Sequence, residues 1–269
     1  MAADFVASKV VQAFDSKVDP GVYQLDRRLP ESLKGRPQSS IASGQAPSLV
    51  LIHGTFSETS GTFGKLWKER MNGPPRNDLL SMMAHNPATR DMDPRNFLGN
   101  LILLIVGGND TTRNSMSAYA YALNKYPEER AKLEADPSLI PNAVQELIRW
   151  QTPLSHMRRT VVEDTEVDGV KMKAGDKVVM WYLSANRDES VFDDGEAIQV
   201  DRANARRHLS FGYGIHRCVG ARVAELQLVT LLEEMGKRRL RANVLGEPVR
   251  VPACFVHGYK SLQVELSHY

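Results

Sequence analysis

Hydrophobic positions first fall on a helical period at Phe5, Val6, Val10, Ala13 and Phe14, which predicts an opening helix ended by Pro20-Gly21. From Pro30 to Pro47 the text shifts to Pro, Ser, Gly and Gln, the composition of a loop or linker. The run Ser48-Leu49-Val50-Leu51-Ile52 then reads as a short buried strand leading into His53-Gly54-Thr55-Phe56. From Phe63 onward the pattern changes character and stays consistent to the end. Asp78 can cap a short helix through Met83, and Asp93-Pro94 sets a cap and a first-turn proline before a long helix over residues 94–126. Phe97, Leu98, Leu101, Ile102, Ile105 and Val106 make that helix apolar nearly all round, as expected of one buried through the middle of a protein.

Pro127, Pro137 and Pro141 punctuate the helices that follow. The last of them carries Glu146 and Arg149, three apart on one face, where they can pair. An isolated pair of this kind is usually solvated; a buried one must be satisfied by further hydrogen bonds. A β region comes next, with Asp168-Gly169 between alternating positions of residues 165–172, a hairpin signal. Residues 221–235 form a strongly amphipathic helical pattern, and residues 255–262 read as a terminal hairpin.

A chain of 269 residues holds one large domain or two small ones, and apolar and charged fractions of 42% and 25% are those of an ordinary soluble globule. The longest apolar run, residues 101–106, is too short to span a membrane, and the N-terminus lacks a basic segment followed by an apolar one, so the expected location is cytoplasmic. A net charge of +2 does not argue for nucleic acid, and the cluster Lys237-Arg238-Arg239 with Arg241 reads as a solvated helix end. With cysteines at Cys218 and Cys254 alone, there is no disulfide framework, which suits a reducing compartment and a free thiolate.

Three stretches carry candidate chemistry. A strand running into His53-Gly54 is similar to the oxyanion loop of α/β hydrolases, but the chain has no G-x-S-x-G nucleophile elbow, so His53 reads as a turn residue. Gly107 and Gly108 stand inside the long helix, where each costs roughly 1 kcal/mol against alanine. Either the helix kinks there with an exposed polar patch, or a flat cofactor with bound dioxygen needs the space, and Asp110 and Thr111 then relay protons. The third stretch is Phe211-Gly212-Tyr213-Gly214-Ile215-His216-Arg217-Cys218-Val219-Gly220, glycine-rich and ending at a helix start. Backbone N–H groups there, with Arg217 and Arg222 alongside, favour a thiolate facing a metal, although a buried cysteine in a glycine-rich turn has the same local text. Zinc or iron–sulfur would need about four ligands, which two cysteines do not supply, so iron in a porphyrin is the natural guest.

The run F-G-x-G-x-H-x-C-x-G resembles the heme-binding loop of the cytochrome P450 family, the heme-thiolate monooxygenases. Gly107-Gly108-Asn109-Asp110-Thr111-Thr112 is similar to that family's [AG]-G-x-[DE]-T-T segment, and Glu146 with Arg149 resembles its E-x-x-R, with Arg202 in the place of the third member. The resemblance covers residues 63–269 and implies a truncated form of the family's fold, mainly α with small β-sheets (α+β). It implies heme b (iron protoporphyrin IX) as cofactor, Cys218 as iron ligand, and Phe211, Gly212, Gly220, Gly107 and Gly108 around the ring. Arg159 would hold one propionate and His216 the other side; Asp110 and Thr111 would be catalytic. Leu103, Val106, Gly107, Ser155 and Met157 fall where the family lines its pocket. Ferredoxin and ferredoxin reductase are the implied electron donors, and Arg206, Arg207, Arg217 and Arg222 would give them a cationic face. The wording looks closest to bacterial alkane and fatty-acid terminal hydroxylases, which insert one atom of dioxygen into a C–H bond. Family members are considerably longer. Residues 1–61 do not resemble the family and look like the start of an α/β hydrolase, joined to residues 62–269 as the heme-binding part. The alternative to an active monooxygenase is a truncated or chimaeric remnant that binds heme at most.

Overall fold

The computed structural model describes residues 63–269, so the opening helix, the loop, the strand at 48–52, His53 and the whole segment 1–61 lie outside the described residues. The described chain divides into two units, residues 63–104 and 105–269.

In the first unit, α1 (63–72) is followed by α2 (Leu79–His85). Asp78 caps α2 by accepting from the Ser81 N–H at 2.8 Å, and the Arg70 guanidinium pairs with the same carboxylate at 2.9 Å. Those bonds hold the Asp78 carboxyl below its usual range, against the opposing effect of burial. His85 then ties the end of α2 back to the Gly73 carbonyl at 3.1 Å, and the Trp67 and Phe97 rings pack 4.4 Å apart. The long helix α3 (Pro94–Lys125) starts behind Asp93 as its sequence signals predict.

The second unit is built on α5. After α4 (Pro127–Ala135) and a short 3-10 turn, α5 (Ile140–Gln151) buries Ala143, Val144, Leu147 and Ile148 against Ala118, Ala122 and Leu123 of α3 and Leu228 and Leu232 of α7 (Ala221–Lys237). Its polar residues Gln145, Glu146, Arg149 and Gln151 are buried as well, so α5 is enclosed on every face and its polar groups need partners inside the protein. Among the described residues the sheets are four antiparallel pairs. β1 (His156–Thr160) pairs with β4 (Lys177–Trp181), which leads directly into the one-turn α6 (Tyr182–Ala185). β2 (Thr165–Val167) and β3 (Val170–Met172) form the predicted hairpin, with Asp168 and Gly169 both at positive φ as a two-residue turn of this hand requires. β5 (Leu240–Val244) pairs with β8 (Val264–His268), and β6 (Val249–Arg250) with β7 (Tyr259–Ser261). The architecture is mainly α with small β-sheets, as expected.

Two expectations need correction. Residues 255–262 are not a hairpin: 255–258 lie in the loop between β6 and β7, where the Phe255 carbonyl accepts from the Ser155 N–H at 2.9 Å and Val256 bridges to Leu154. Partners distant in sequence took both flanks, which a local turn signal does not specify. Nor is the apolar part of α3 buried throughout, since Leu103, Ile105 and Val106 are 43–45% exposed. A helical period counts apolar residues, whereas burial needs something packed on each face.

Candidate functional site

The cysteine loop hangs from the buried face of α5 by a continuous set of hydrogen bonds. Glu146 and Arg149, one helical turn apart, join through two bonds of 2.7 Å, and the Arg202 guanidinium adds a third at 2.9 Å on Glu146 Oε1. Glu146 and Arg149 are completely buried, so their charges depend on one another and on the carbonyls of Asn186, Gly195 and Ala197 that Arg149 also reaches. The sequence could suggest the pair but not its surroundings, because the loop at 186–200 carries no motif. Asn186 is the residue that sequence reasoning missed. Its carbonyl accepts from Arg149, its Oδ1 accepts from the Leu209 N–H at 2.7 Å, and its Nδ2 donates to Thr152 Oγ1 and Ser210 Oγ. Thr152, at the left-handed φ of 41°, closes α5 under that bond. Ser210 Oγ in turn donates to the Ile148 carbonyl.

The segment so anchored runs straight into the loop. Gly212 has φ +66°, and a Cβ there would lie 3.2 Å from Tyr182 Oη, so both backbone and space call for glycine; Gly214 has φ +73°. Gly220, at φ −87° as the cap of α7, is under no such backbone demand. The Cys218 N–H donates to the Phe211 carbonyl at 2.8 Å, which closes the loop and sets the cysteine just before the first turn of α7, where helix N–H groups point at an anion. Cys218 is exposed, His216 half-buried, and Arg206, Arg207, Arg217 and Arg222 are exposed. Around the cysteine, Ile215, Val219, Val223 and Leu226 stand 60–93% exposed, an apolar surface open to a flat apolar partner.

His208 completes the anchor and was also missed. It is buried, its Nδ1 accepts from the Ser210 N–H at 3.2 Å, and its Nε2 lies 3.2 Å from Gln145 Oε1. Burial, then the Arg149, Arg217 and Arg206 guanidinium groups, push its pKa down to about 4 against the opposing pull of Glu225.

On α3, a Cβ built on Gly107 or Gly108 meets nothing within 4 Å, so both glycines border open space, and the helix runs through them without a break. Thr111 Oγ1 donates to the Gly107 carbonyl at 2.6 Å. Asp110 pairs with Arg113 at 2.9 Å on an exposed turn, which leaves Thr111 as the hydroxyl beside the glycines. On β1, Arg159 is 6% exposed, donates to the Arg158 carbonyl, and has no carboxylate partner among the described residues. A buried guanidinium in that state is suited to an external carboxylate. Ser155 is buried with its backbone spent on Phe255 and Leu183, Met157 is half-buried on β1, and Leu103 and Val106 are exposed. None of these four lines the cavity of about 350 Å³ that lies between Tyr119, Leu133, Leu232 and Leu240.

An exposed cysteine at a helix start, glycines beside open space, an unpaired buried guanidinium and an uncovered apolar face together fit a porphyrin with carboxylate side chains. No group of three or more His, Cys, Asp or Glu among the described residues could hold a bare metal ion. No helix among the described residues is long and apolar enough to cross a membrane.

Comparison with known proteins gives the same direction. The sequence model of the family described as cytochrome P450 matches residues 66–236. Linalool 8-monooxygenase of Pseudomonas putida is 40% identical over 212 residues, 78% of this chain and 52% of its own length. Methyl-branched lipid omega-hydroxylase of Mycobacterium tuberculosis is 42% identical over 227 residues, 82% of this chain and 53% of its own. Among solved structures, cytochrome P450-153 from Novosphingobium aromaticivorans superposes with a TM-score of 0.76 at 60% identity, covering 80% of this chain and 53% of that one. The chain thus spans about half the length of the curated relatives it matches.

Proposed function

The chain belongs to the cytochrome P450 family, whose members are heme-thiolate proteins that bind heme b, and from that premise we propose that it is the heme-binding part of a monooxygenase acting on a hydrophobic substrate such as an alkane or fatty acid. The observation that carries the reading is the cysteine loop: an exposed thiol just before the first turn of α7, closed by the bond from the Cys218 N–H to the Phe211 carbonyl and flanked by an uncovered apolar surface. Relatives named for linalool, methyl-branched lipids and steroids support a hydrophobic substrate.

Cys218 Sγ would hold the heme iron, Arg159 and His216 would hold the heme carboxylates, and Phe211 and Gly212 would line the heme site. When bound, heme b supplies dioxygen activation and the transfer of one oxygen atom into a C–H bond, the second leaving as water with two electrons and two protons consumed. Gly107 and Gly108 keep space free on α3. Thr111, whose proton is engaged by the Gly107 carbonyl, has lone pairs left to accept from a bound donor, and Asp110 would replenish protons after releasing Arg113. Leu103, Val106, Ser155 and Met157 would contact substrate. A ferredoxin with its reductase would supply the electrons, meeting the exposed Arg206, Arg207, Arg217 and Arg222.

The test is the carbon monoxide difference spectrum of the reduced chain supplied with heme, beside a Cys218→Ala control. A strongly red-shifted Soret band present in the parent and lost in the control is the expected result. Absence of that band in the parent overturns the reading, and a band without turnover of any alkane or fatty acid reduces it to heme binding alone.

A further inference from the structure

The two imidazole bonds of His208 do something that neither the buried Glu146–Arg149 pair nor Asn186 does: they tie the cysteine loop to α5 through a group that can change its proton count. Nδ1 accepts from the Ser210 N–H, and a nitrogen that accepts is unprotonated, so Nε2 carries the proton and donates it to Gln145 Oε1. The Gln145 amide hydrogen-bonds onward to Glu225 on α7, whose carboxylate also takes the Arg222 guanidinium at 2.8 Å. The Phe211 ring sits 5.4 Å from the imidazole, and the carbonyl of the same residue accepts the Cys218 N–H. The line Glu225, Gln145, His208, Ser210, Phe211, Cys218 therefore connects α7, α5 and the loop, with the imidazole at its centre.

We propose that neutral His208 is a positioning residue for Cys218: as the acceptor of the Ser210 N–H it fixes the backbone entering the cysteine loop, and protonation at Nδ1 releases that loop while the helical core stays folded. An imidazolium carries N–H on both ring nitrogens, so Nδ1 would face the Ser210 N–H donor to donor, and the bond is lost rather than weakened. The charged groups facing the ring are mostly hostile to a second proton. Arg149 of α5, Arg206 in the 3-10 turn before the loop and Arg217 within it disfavour the cation, and Glu225 of α7 favours it. The core beneath has no such dependence, because Leu147, Ile148, Leu228 and Leu232 are held by apolar contact. Acid should therefore open the loop first. The functional meaning of the proposal rests on Cys218 being the thiolate ligand, but the geometry can be tested without heme.

Amide hydrogen exchange on the chain as it stands, expressed as protection factors so that the intrinsic pH dependence cancels, reads the Ser210 and Cys218 N–H groups against Leu147 and Ile148 as internal standards. In the parent, protection at Ser210 and Cys218 should fall at least tenfold between pH 6.5 and pH 4.5 while Leu147 and Ile148 remain the better protected and the helical signal of the core persists. His208→Gln cannot titrate in this range and should abolish that pH dependence; His208→Phe, which fills the space without an acceptor, should show low protection at every pH. Unchanged protection in His208→Phe, or the same acid transition in His208→Gln, overturns the proposal, and the glutamine variant decides the matter if the phenylalanine variant does not fold. With heme supplied, the thiolate-type carbon monoxide band should decline over the same interval in the parent and persist to lower pH in His208→Gln. If no variant shows that band, the monooxygenase reading fails, and the exchange data still decide the role of His208.

Discussion

At the scale of single residues, the most consequential group is Arg149. It is completely buried, with Glu146 on one side, three carbonyls around it and the Phe192 ring 5.1 Å from its Cζ. Its removal leaves Glu146 with the Arg202 guanidinium and the Gln199 N–H and strands the Asn186 and Gly195 carbonyls, a loss of about 3–5 kcal/mol by the usual cost of breaking a buried pair. Arg149→Ala should therefore be largely unfolded in denaturant titrations under conditions where the parent is folded, since domains hold only about 5–15 kcal/mol in all. His208 gives a prediction of definite sign for the whole chain. The unfolded side chain titrates at the ordinary 6.5 and the folded one at about 4, so between these values the unfolded state binds the extra proton and stability rises with pH. The contribution is complete above pH 6.5 and is lost as pH falls toward 4, a difference of roughly 3 kcal/mol at most. His257, also lowered chiefly by burial, acts in the same sense. Denaturant midpoints measured from pH 7 to pH 4.5 should fall in the parent and fall less in His208→Gln.

At the scale of elements, α3 carries the sharpest test of whether its glycines serve something absent from the chain itself. Because a Cβ at Gly108 meets nothing within 4 Å, Gly108→Ala should stabilise the heme-free chain by about 0.5–1 kcal/mol, the ordinary gain in a helix interior. The same methyl intrudes on the open space beside the helix, so heme loading of the variant should drop although its melting temperature rises. A variant both more stable and equally well loaded would return these glycines to the status of a local irregularity. The cysteine loop is placed by an element that sequence gave no reason to single out: the stretch after α6, where Asn186, Gly195 and Ala197 supply carbonyls to Arg149 and Asn186 holds Leu209 and Ser210.

At the scale of the whole molecule, the exposed apolar set Ile215, Val219, Val223 and Leu226 stands out against a net charge of only +2. Such a surface binds dyes and promotes association. Val223→Ser with Leu226→Gln should lower fluorescence of a hydrophobic dye and reduce aggregation in light scattering. Because both side chains are at least 60% exposed, the unfolding free energy should stay within about 0.5 kcal/mol of the parent.

What the sequence determined by itself is local in its physics. Caps and prolines marked the start of α2 at Asp78 and of α3 at Pro94, Asp168-Gly169 specified the two-residue turn of the β2–β3 hairpin, and a glycine-rich loop before an amphipathic helix located Cys218. Each of these is a matter of backbone geometry and short-range periodicity, written into a few consecutive residues. The tertiary structure decided the rest. It brought Arg202 to Glu146 across 56 positions and His208 to Gln145 across 63, it used residues 255–258 as a loop where the local pattern predicted a hairpin, and it left Ile105 and Val106 exposed where periodicity predicted burial. Partners distant in sequence set burial, and burial sets whether a glutamate, an arginine or a histidine is a solvated side chain or the anchor of a functional loop.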